Sequence, residues 1–263
     1  MKLKEKLQNG EVSIGSWITI GNPSIAEIMA KSGFDWLTVD MEHSAITLDL
    51  AQQLIQIIEL CGVAPLVRVG ENDPNLIKRV MDAGAHGIIV PMVNTKEDAM
   101  KAVNAVRYPP EGTRGVGLAR AQGYSLDFER YRQWANSESI IVVQIEHIEA
   151  VENLKSILEV RGIDAFMVGP YDLSGSLGVP GDFDHPKVRK AFKKIQEISE
   201  GLNVNAGFHV VPPFYDLVLK KISEGYSFIA FGVDFLFLGE TCRSGLKNIK
   251  KFLGEMEIRN EGI

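Results

Sequence analysis

The feature that most constrains the fold of this 263-residue chain is an alternation of short apolar runs with amphipathic segments. Each run has the length of a strand, and most are apolar throughout, which is typical of strands buried on both faces. Several of the segments between them end at glycine, a common residue at helix C-termini. The eight runs are 12–20, 34–41, 65–69, 87–93, 140–146, 164–169, 206–211 and 228–234. Strands that alternate with helices predict an α/β fold with a parallel sheet.

Eight strands are the number that closes a (β/α)₈ TIM barrel, a fold of roughly 250 residues. No composition shift or low-complexity stretch marks a linker, so we predict a single barrel domain over 1–263. An open, doubly wound sheet is the structural alternative. The barrel is favoured because polar residues end at least four of the runs. Closure brings all those ends to one face, whereas an open sheet spreads them along an edge.

Charge and composition exclude several classes of protein. Lys and Arg number 28 against 34 Asp and Glu, a net charge of −6, which disfavours a nucleic-acid binder with a broad basic face. No apolar run approaches the roughly 20 residues that span a bilayer, and no apolar signal core follows the N-terminus. Cys61 and Cys242 cannot form a disulfide framework. We therefore predict a cytoplasmic protein without nucleic-acid or membrane partners.

Polar residues end the second and third runs. Asp40, Glu42 and His43 leave a buried strand, and imidazole is the usual side chain for proton transfer near neutral pH. A loop histidine that satisfies nearby carbonyl groups is the alternative. Arg68 lies inside an apolar run, where an unpaired guanidinium is costly. It is interpreted as an ion-pair partner of Asp40 or Glu42, as a fork for a substrate carboxylate or enolate oxygen, or as both.

Carboxylates end the fifth and sixth runs. Gln144 and Glu146 alternate with Ile145 and so point to one side of their strand. Asp172 follows the sixth run, where a helix N-cap is the simpler interpretation. Carboxylates from adjacent strands supply the hard oxygen ligands that Mg²⁺ or Mn²⁺ prefers, with water and substrate in the remaining positions. The pattern indicates an open metal site, with a buried polar layer as the alternative.

Absent motifs narrow the chemistry further. The eight runs contain no lysine, which disfavours a Schiff-base aldolase and a pyridoxal phosphate enzyme. The segments after the last two runs are not glycine-rich, which disfavours a phosphorylated substrate. The long loop 107–124 is glycine-rich but lacks the full G-x-G-x-x-G pattern of dinucleotide binding. There is also no G-x-S-x-G nucleophile elbow.

Six short motifs resemble, in order, those of the HpcH/HpaI aldolase family. They are DMEHSA, VRVGENDP, VPMV, RYPPEGTRGVG, VVQIE and GPYDLSGSLG, and the resemblance extends from about residue 12 to about residue 235. These proteins are metal-dependent class II pyruvate aldolases that act on 2,4-dihydroxyhept-2-ene-1,7-dioate or 2-keto-3-deoxy sugar acids. The resemblance implies a barrel of the phosphoenolpyruvate/pyruvate type, a divalent metal (Mg²⁺, Mn²⁺ or Co²⁺) and a homo-oligomer, commonly a hexamer. The apolar stretch 235–240 and the helical segment at about 239–258 would suit subunit packing.

The resemblance also implies roles for individual residues. Glu146 and Asp172 match the metal ligands, and His43 matches the general base. Arg68 matches the arginine that binds substrate and stabilises the transition state. Further substrate-binding positions are Gln144, Gly169 and Tyr171. Asp82 matches an aspartate that raises the basicity of the histidine, although a position near a helix C-terminus places Asp82 toward the opposite face of a simple barrel.

The resulting hypothesis is reversible aldol cleavage of a 4-hydroxy-2-oxo acid to pyruvate and an aldehyde, both small molecules. His43 would take the proton of the 4-hydroxyl group, while the metal and Arg68 would hold the enolate charge. The same site would also suit an oxaloacetate decarboxylase or a citramalyl-type lyase. A third hypothesis is a non-catalytic barrel that binds a small acid.

Overall fold

The computed structural model describes residues 2–202 and 204–260, with the side chains of 255–260 excepted, so residues 1, 203 and 261–263 of the predicted domain lie outside it. Eight parallel strands pair in sequence order and close into a barrel through β1 and β8. The strands are β1 Ser13–Ile18, β2 Trp36–Asp40, β3 Ala64–Arg68, β4 Gly87–Val90, β5 Ile140–Ile145, β6 Ala165–Val168, β7 Asn205–Val210 and β8 Phe228–Val233. Each overlaps one of the eight apolar runs, so the predicted barrel is confirmed and the open sheet is wrong.

Helices connect the strands and surround the barrel. They are α1 Leu3–Gln8, α2 Pro23–Ala30, α3 Leu48–Leu60, α4 Pro74–Asp82, α5 Lys96–Val106, α6 Phe128–Ser137, α7 Ile148–Glu152, α8 Leu154–Leu158, α9 Pro170–Ser176, α10 Pro186–Ser199, α11 Tyr215–Ser223 and α12 Asp234–Asn260, with a 3₁₀ turn at Arg120–Gln122. The helical pattern over 149–160 forms two short helices, because Asn153 interrupts it and donates its side-chain amide to the carbonyl of Asn94 (2.9 Å). Across the described residues, no helix combines the length and apolar character that crossing a membrane requires.

Successive side chains of each strand point to opposite sides of the sheet and so contribute to two different apolar cores. Outward side chains pack between the sheet and the helices, and Leu37, Val67 and Ile141 are examples. Inward side chains fill the lumen, where Trp36 stacks on Phe228 at 4.3 Å between ring centroids. The short helix α1 adds Leu3 and Leu7 to the lumen cluster. The amino end of the barrel is therefore filled with apolar groups.

A buried aspartate ties the last strand to the first. Asp234, which follows β8, accepts hydrogen bonds from the backbone N–H groups of Thr19 (2.8 Å) and Ile20 (2.6 Å) and from the Thr19 hydroxyl group (2.7 Å). These bonds satisfy backbone groups just beyond β1, where the ladder of the sheet ends. Asp234 thus secures the seam at the carboxyl end of the barrel, which carries the polar side chains considered next.

Candidate active site

The carboxyl ends of β2, β3 and β5 present polar side chains to the lumen. Asp40, Gln144 and Glu146 are buried there, and Arg68 is nearly so. Gln144 donates its side-chain amide to Glu146 Oε2 at 3.0 Å, so both side chains lie on the same side of β5. The structure brings together most of the residues that the sequence singled out, at one end of the barrel.

Arg68 and Asp40 form a two-pronged ion pair between neighbouring strands. Arg68 Nε donates to Asp40 Oδ1 at 2.9 Å and Nη2 donates to Oδ2 at 2.7 Å, and the guanidinium lies over the ring of Trp17 at 4.3 Å. Burial would raise the pKa of Asp40, but the hydrogen bonds and charge of Arg68 outweigh it and hold this pKa below its usual value. Nη1 of Arg68 makes no hydrogen bond with the described residues, so the fork keeps a donor for a ligand.

Asp40 also shapes the turn that carries His43. Its Oδ1 accepts hydrogen bonds from the backbone N–H groups of Glu42 (3.0 Å) and His43 (3.3 Å). The side chain of His43 is 64% exposed, and its Nε2 lies 3.7 Å from Glu42 Oε2. His43 therefore lies at the rim of the site, above the buried Asp40–Arg68 pair.

Glu146 is held by a backbone N–H group as well as by Gln144. Met92, in the loop after β4, donates to Glu146 Oε1 at 2.6 Å. Met92 has a φ of 52°, in the left-handed region, which costs a residue other than glycine roughly 1–2 kcal/mol. Burial raises the pKa of Glu146 to about 7, opposed by the Met92 N–H group and Arg68 and reinforced by the carboxylates of Glu42 and Asp172.

We call Glu42, Glu146 and Asp172 the carboxylate cluster because their negative charges act on one another, with too little positive charge around them. Burial also raises the pKa of Glu42, and its Oε2 is buried without a hydrogen-bond partner among the described residues. Arg68 is the neighbouring cation, at 3.2 Å from Glu42 Oε2, and it is shared with Asp40. This donor set of hard oxygens with surplus negative charge fits a divalent cation. Among the described residues, no three His, Cys, Asp or Glu side chains are grouped closely enough to form a complete set of metal ligands.

The turn from β6 into α9 carries Asp172, the third member of the carboxylate cluster. Gly169 precedes the helix, Pro170 occupies its first turn, and Asp172 follows where an acidic side chain is favourable. A Cβ atom on Gly169 would lie 2.8 Å from Cβ and Oε2 of Glu146, so only glycine leaves room for that carboxylate. Tyr171 is 54% exposed, and its ring packs edge-on against Phe183 at 5.0 Å between ring centroids.

Asp82 lies apart from the other predicted residues. It ends α4, at the amino-end side of the barrel, where Oδ1 accepts hydrogen bonds from Arg114 Nη2 (2.5 Å) and Gln122 Nε2 (3.2 Å). Among the described residues of this single chain it has no contact with His43. None of these contacts connects Asp82 to His43. An effect of Asp82 on the basicity of His43 therefore stays a prediction.

A profile of the HpcH/HpaI aldolase/citrate lyase family matches residues 13–239, most of the chain. The chain belongs to this family.

Among its relatives is the 2-keto-3-deoxy-L-rhamnonate aldolase of Klebsiella pneumoniae, which is 41% identical over 88% of this chain and 86% of its own. The protein of the same name from Escherichia coli K12 is 38% identical over 94% of this chain and 92% of its own. A crystal structure of a family protein from Burkholderia cenocepacia J2315 is 32% identical, with a TM-score of 0.89 over 94% of this chain and 98% of that one. The chain is therefore a carbon–carbon lyase.

Three residues of the site were not among the catalytic, metal-binding or substrate-binding residues that the sequence predicted. Glu42 was considered only as a partner for Arg68, although its place two residues after Asp40 puts it on the same turn. Met92 and Trp17 act through a backbone N–H group and a ring face, for which an isolated sequence carries no chemical signal. Their contributions depend on the pairing of distant segments in the aldolase fold.

Replacing Gly169 by alanine should displace Glu146, because the added methyl group overlaps its side chain. We expect Gly169→Ala to lower kcat/KM on the order of 10²-fold, the effect of misplacing a group at the reacting centre by about 1 Å. The matched control is Gly175→Ala in the same helix, where a Cβ meets no atom within 4 Å. That variant should keep full activity. Wild-type kinetics for Gly169→Ala would contradict the proposed contact.

Proposed function

We propose that this chain catalyses the reversible aldol cleavage of a 2-keto-3-deoxy sugar acid, which is a 4-hydroxy-2-oxo acid, to pyruvate and an aldehyde. The observation that carries the proposal is the carboxylate cluster next to a pre-positioned arginine fork at the mouth of the barrel. The substrate class is supported by relatives named for 2-keto-3-deoxy-L-rhamnonate. Both products are small molecules.

Class II aldolases of this family generally depend on a divalent metal. We propose that Glu146 and Asp172 hold it, with Glu42 beside them, and that Mg²⁺, Mn²⁺ or Co²⁺ serves. Such an ion, when bound, polarises the 2-oxo group as a Lewis acid. Burial first, and then the negative charges of Glu42 and Asp172, raise the pKa of Glu146, and a cation at this position would favour the ionised carboxylate.

Arg68 stabilises the negative charge that develops on the enolate oxygen. Its Nε and Nη2 atoms are engaged by Asp40 and its face is covered by Trp17, so its orientation is set before substrate binds. Donors that need no reorganisation during the reaction typically contribute 10²- to 10³-fold to the rate. Nη1 is the atom left for the substrate oxygen, which makes Arg68 a catalytic residue as well as an ion-pair partner.

His43 acts as the general base in the cleavage direction. Its imidazole lies at the exposed rim and takes the proton of the 4-hydroxyl group, while the C4–O bond becomes the carbonyl of the aldehyde. The electron pair of the C3–C4 bond passes into the enolate, whose protonation at C3 yields pyruvate. Oε2 of Glu42 lies 3.7 Å from Nε2 of this imidazole.

A panel of 2-keto-3-deoxy acids, coupled to lactate dehydrogenase and NADH, tests the function. We expect members of the panel to release pyruvate. Analogues that lack the 4-hydroxyl group should release none. The contrary result is that no 4-hydroxy-2-oxo acid is cleaved but oxaloacetate or a citramalyl ester is turned over. The protein would then be a decarboxylase or a citramalyl-type lyase that uses the same site, and not an aldolase.

Metal removal should abolish activity reversibly. Glu146 and Asp172 do not enclose an ion, so a chelator should extract it without unfolding the barrel. We expect EDTA treatment and gel filtration to leave only background cleavage, and Mg²⁺, Mn²⁺ or Co²⁺ to restore it. Circular dichroism should stay unchanged throughout. Elemental analysis should confirm that the treated protein is free of metal. Undiminished cleavage by that protein would contradict the proposed metal dependence.

Removing the imidazole of His43 should slow cleavage by about 10²- to 10⁴-fold, the usual contribution of a general base. His43→Ala should still bind metal, because this side chain is outside the proposed ligand set. His86→Ala is the control, since His86 precedes β4 at the amino end of the barrel and pairs with Glu59 (3.2 Å). Coupled pyruvate detection measures both variants. Equal rates for His43→Ala and the wild type would exclude His43 as the base.

We also propose a homo-oligomer, with a hexamer as the form that the family resemblance implies. Helix α12 exposes a series of large apolar side chains, and exposed apolar patches mark interaction surfaces. They are Phe235, Leu238, Leu246, Ile249, Phe252 and Leu253. Size-exclusion chromatography with light scattering should give a mass of several chains at micromolar concentration. A monomer under these conditions would contradict the proposal.

A further inference from the structure

A second cleft lies at the amino end of the barrel, the end opposite to the proposed active site. It has a volume of about 770 Å³ and lies between α1, the segment that follows α5, the end of α6 and the turn that leads into β6. Cavities of roughly 300–1,000 Å³ are the usual size of small-molecule sites in proteins. Arg107 and Arg161 both line this cavity, which we call the arginine cleft.

Arg107 is held in the wall of the arginine cleft by neighbouring backbone. Its Nη1 donates to the carbonyl oxygen of Asn136, and its Nε is buried without a hydrogen-bond partner among the described residues. A Cβ atom on Gly162 would lie 3.4 Å from both Nε and Nη2, so the guanidinium lies close to the backbone of this glycine. The positive charge of Arg107 is therefore fixed in position, but no carboxylate is paired with it.

Arg161 adds a second positive charge beside the first. It directly precedes Gly162, it is exposed, and it forms no hydrogen bond or ion pair with any described residue. Burial lowers the pKa of Arg107, the carboxylates of Asp164 and Glu111 oppose this, and the charge of Arg161 reinforces it. The two guanidinium groups of the cleft therefore repel each other.

The two carboxylates that line the arginine cleft are engaged by other groups. Asp164 accepts hydrogen bonds from Lys4 Nζ at 2.6 Å and from the backbone N–H group of Ile141 at 2.9 Å. Glu111 accepts a hydrogen bond from the side-chain amide of Asn136 at 2.7 Å. Lys4 balances the charge of Asp164, so the two arginines face the single negative charge of Glu111. The cleft is thus left with surplus positive charge.

A phosphate group matches this surplus better than a carboxylate does. A phosphate monoester carries a charge of about −1.5 to −2 at pH 7 and three acceptor oxygens, whereas a carboxylate carries one charge and two oxygens. Guanidinium groups bind phosphate through paired N–H donors. Gln8 and Ser137 also line the cleft, and their polar side chains suit the hydroxyl groups of a polar organic part.

We propose that the arginine cleft binds a phosphate monoester, whose phosphate group lies between Arg107 and Arg161. This ligand is not the substrate of the proposed reaction, because Arg68 and Glu146 lie at the other end of the barrel. No bond is made or broken in the cleft. It is a second binding site, and the proposal does not depend on the proposed function.

The test measures binding to the purified protein by isothermal titration calorimetry. The probes are glycerol 3-phosphate, glucose 6-phosphate, inorganic phosphate and, as a neutral control, glucose. We expect saturable binding of the two monoesters, weaker binding of inorganic phosphate and no binding of glucose. Arg161→Gln should weaken monoester binding by about tenfold or more, as the loss of a charge-assisted hydrogen bond does. Arg161→Lys keeps the charge but loses the fork, so it should weaken binding less.

Arg189→Gln is the matched control, since it removes the same charge from an exposed position on α10, where Arg189 pairs with Asp184 (2.7 Å). It should bind the monoesters as the wild type does. Circular dichroism should be the same for all variants, because Arg161 has no hydrogen bond or ion pair to lose with the described residues.

Three results would overturn the inference. The first is no saturable binding of either monoester at millimolar concentration. The second is wild-type affinity in both Arg161 variants, which would place the phosphate elsewhere, for example at Arg68. The third is inorganic phosphate that binds as tightly as the monoesters, which would make the cleft a site for a simple anion. Because the assay reads no aldol cleavage, none of these results bears on the proposed function.

Discussion

Two buried charges, Arg68 and Asp40, hold the mouth of the barrel together. Charges taken out of water are tolerated when they are paired and hydrogen-bonded, and these two share two hydrogen bonds across β3 and β2. The same aspartate orders the turn that carries His43, and the same arginine lies on Trp17, which packs on His209. The orientation of the base at the rim and of the rings in the lumen therefore depends on this one pair.

The carboxylates next to this pair present the reverse problem, an excess of negative charge. Burial and mutual repulsion raise the pKa of Glu146 and of Glu42, and the chain keeps Glu146 in position through Gln144 and the left-handed Met92. A backbone conformation that costs energy persists where the surrounding structure stabilises it, and such residues cluster at functional sites. The arginine fork thus supplies the positive charge of the site, and the carboxylate cluster supplies its surplus negative charge.

Much of the fold is visible in the sequence, because burial on both faces requires apolar runs and helix ends favour glycine or proline. Gln144 and Glu146 point to one side of their strand and Ile145 points to the other. This also follows from the two-residue repeat of a strand. The break at Asn153 was not predictable, since it depends on the carbonyl of Asn94, nearly sixty residues earlier. The apolar run that contains His209 likewise gives no sign that one of its ring nitrogens meets the carbonyl of Gly232.

The sequence by itself determined which residues are available and which side of each strand they occupy. Local sterics and the burial of apolar groups act over a few residues, and both leave a periodic trace in the chain. Only the tertiary structure decided which of these residues meet. Closure of the barrel places Glu42 beside Asp172 and Glu146, and it leaves Asp82 with Arg114 at the amino-end side. Those contacts depend on strand register and on the balance of charge between distant segments. Neither can be determined from any single stretch of the sequence.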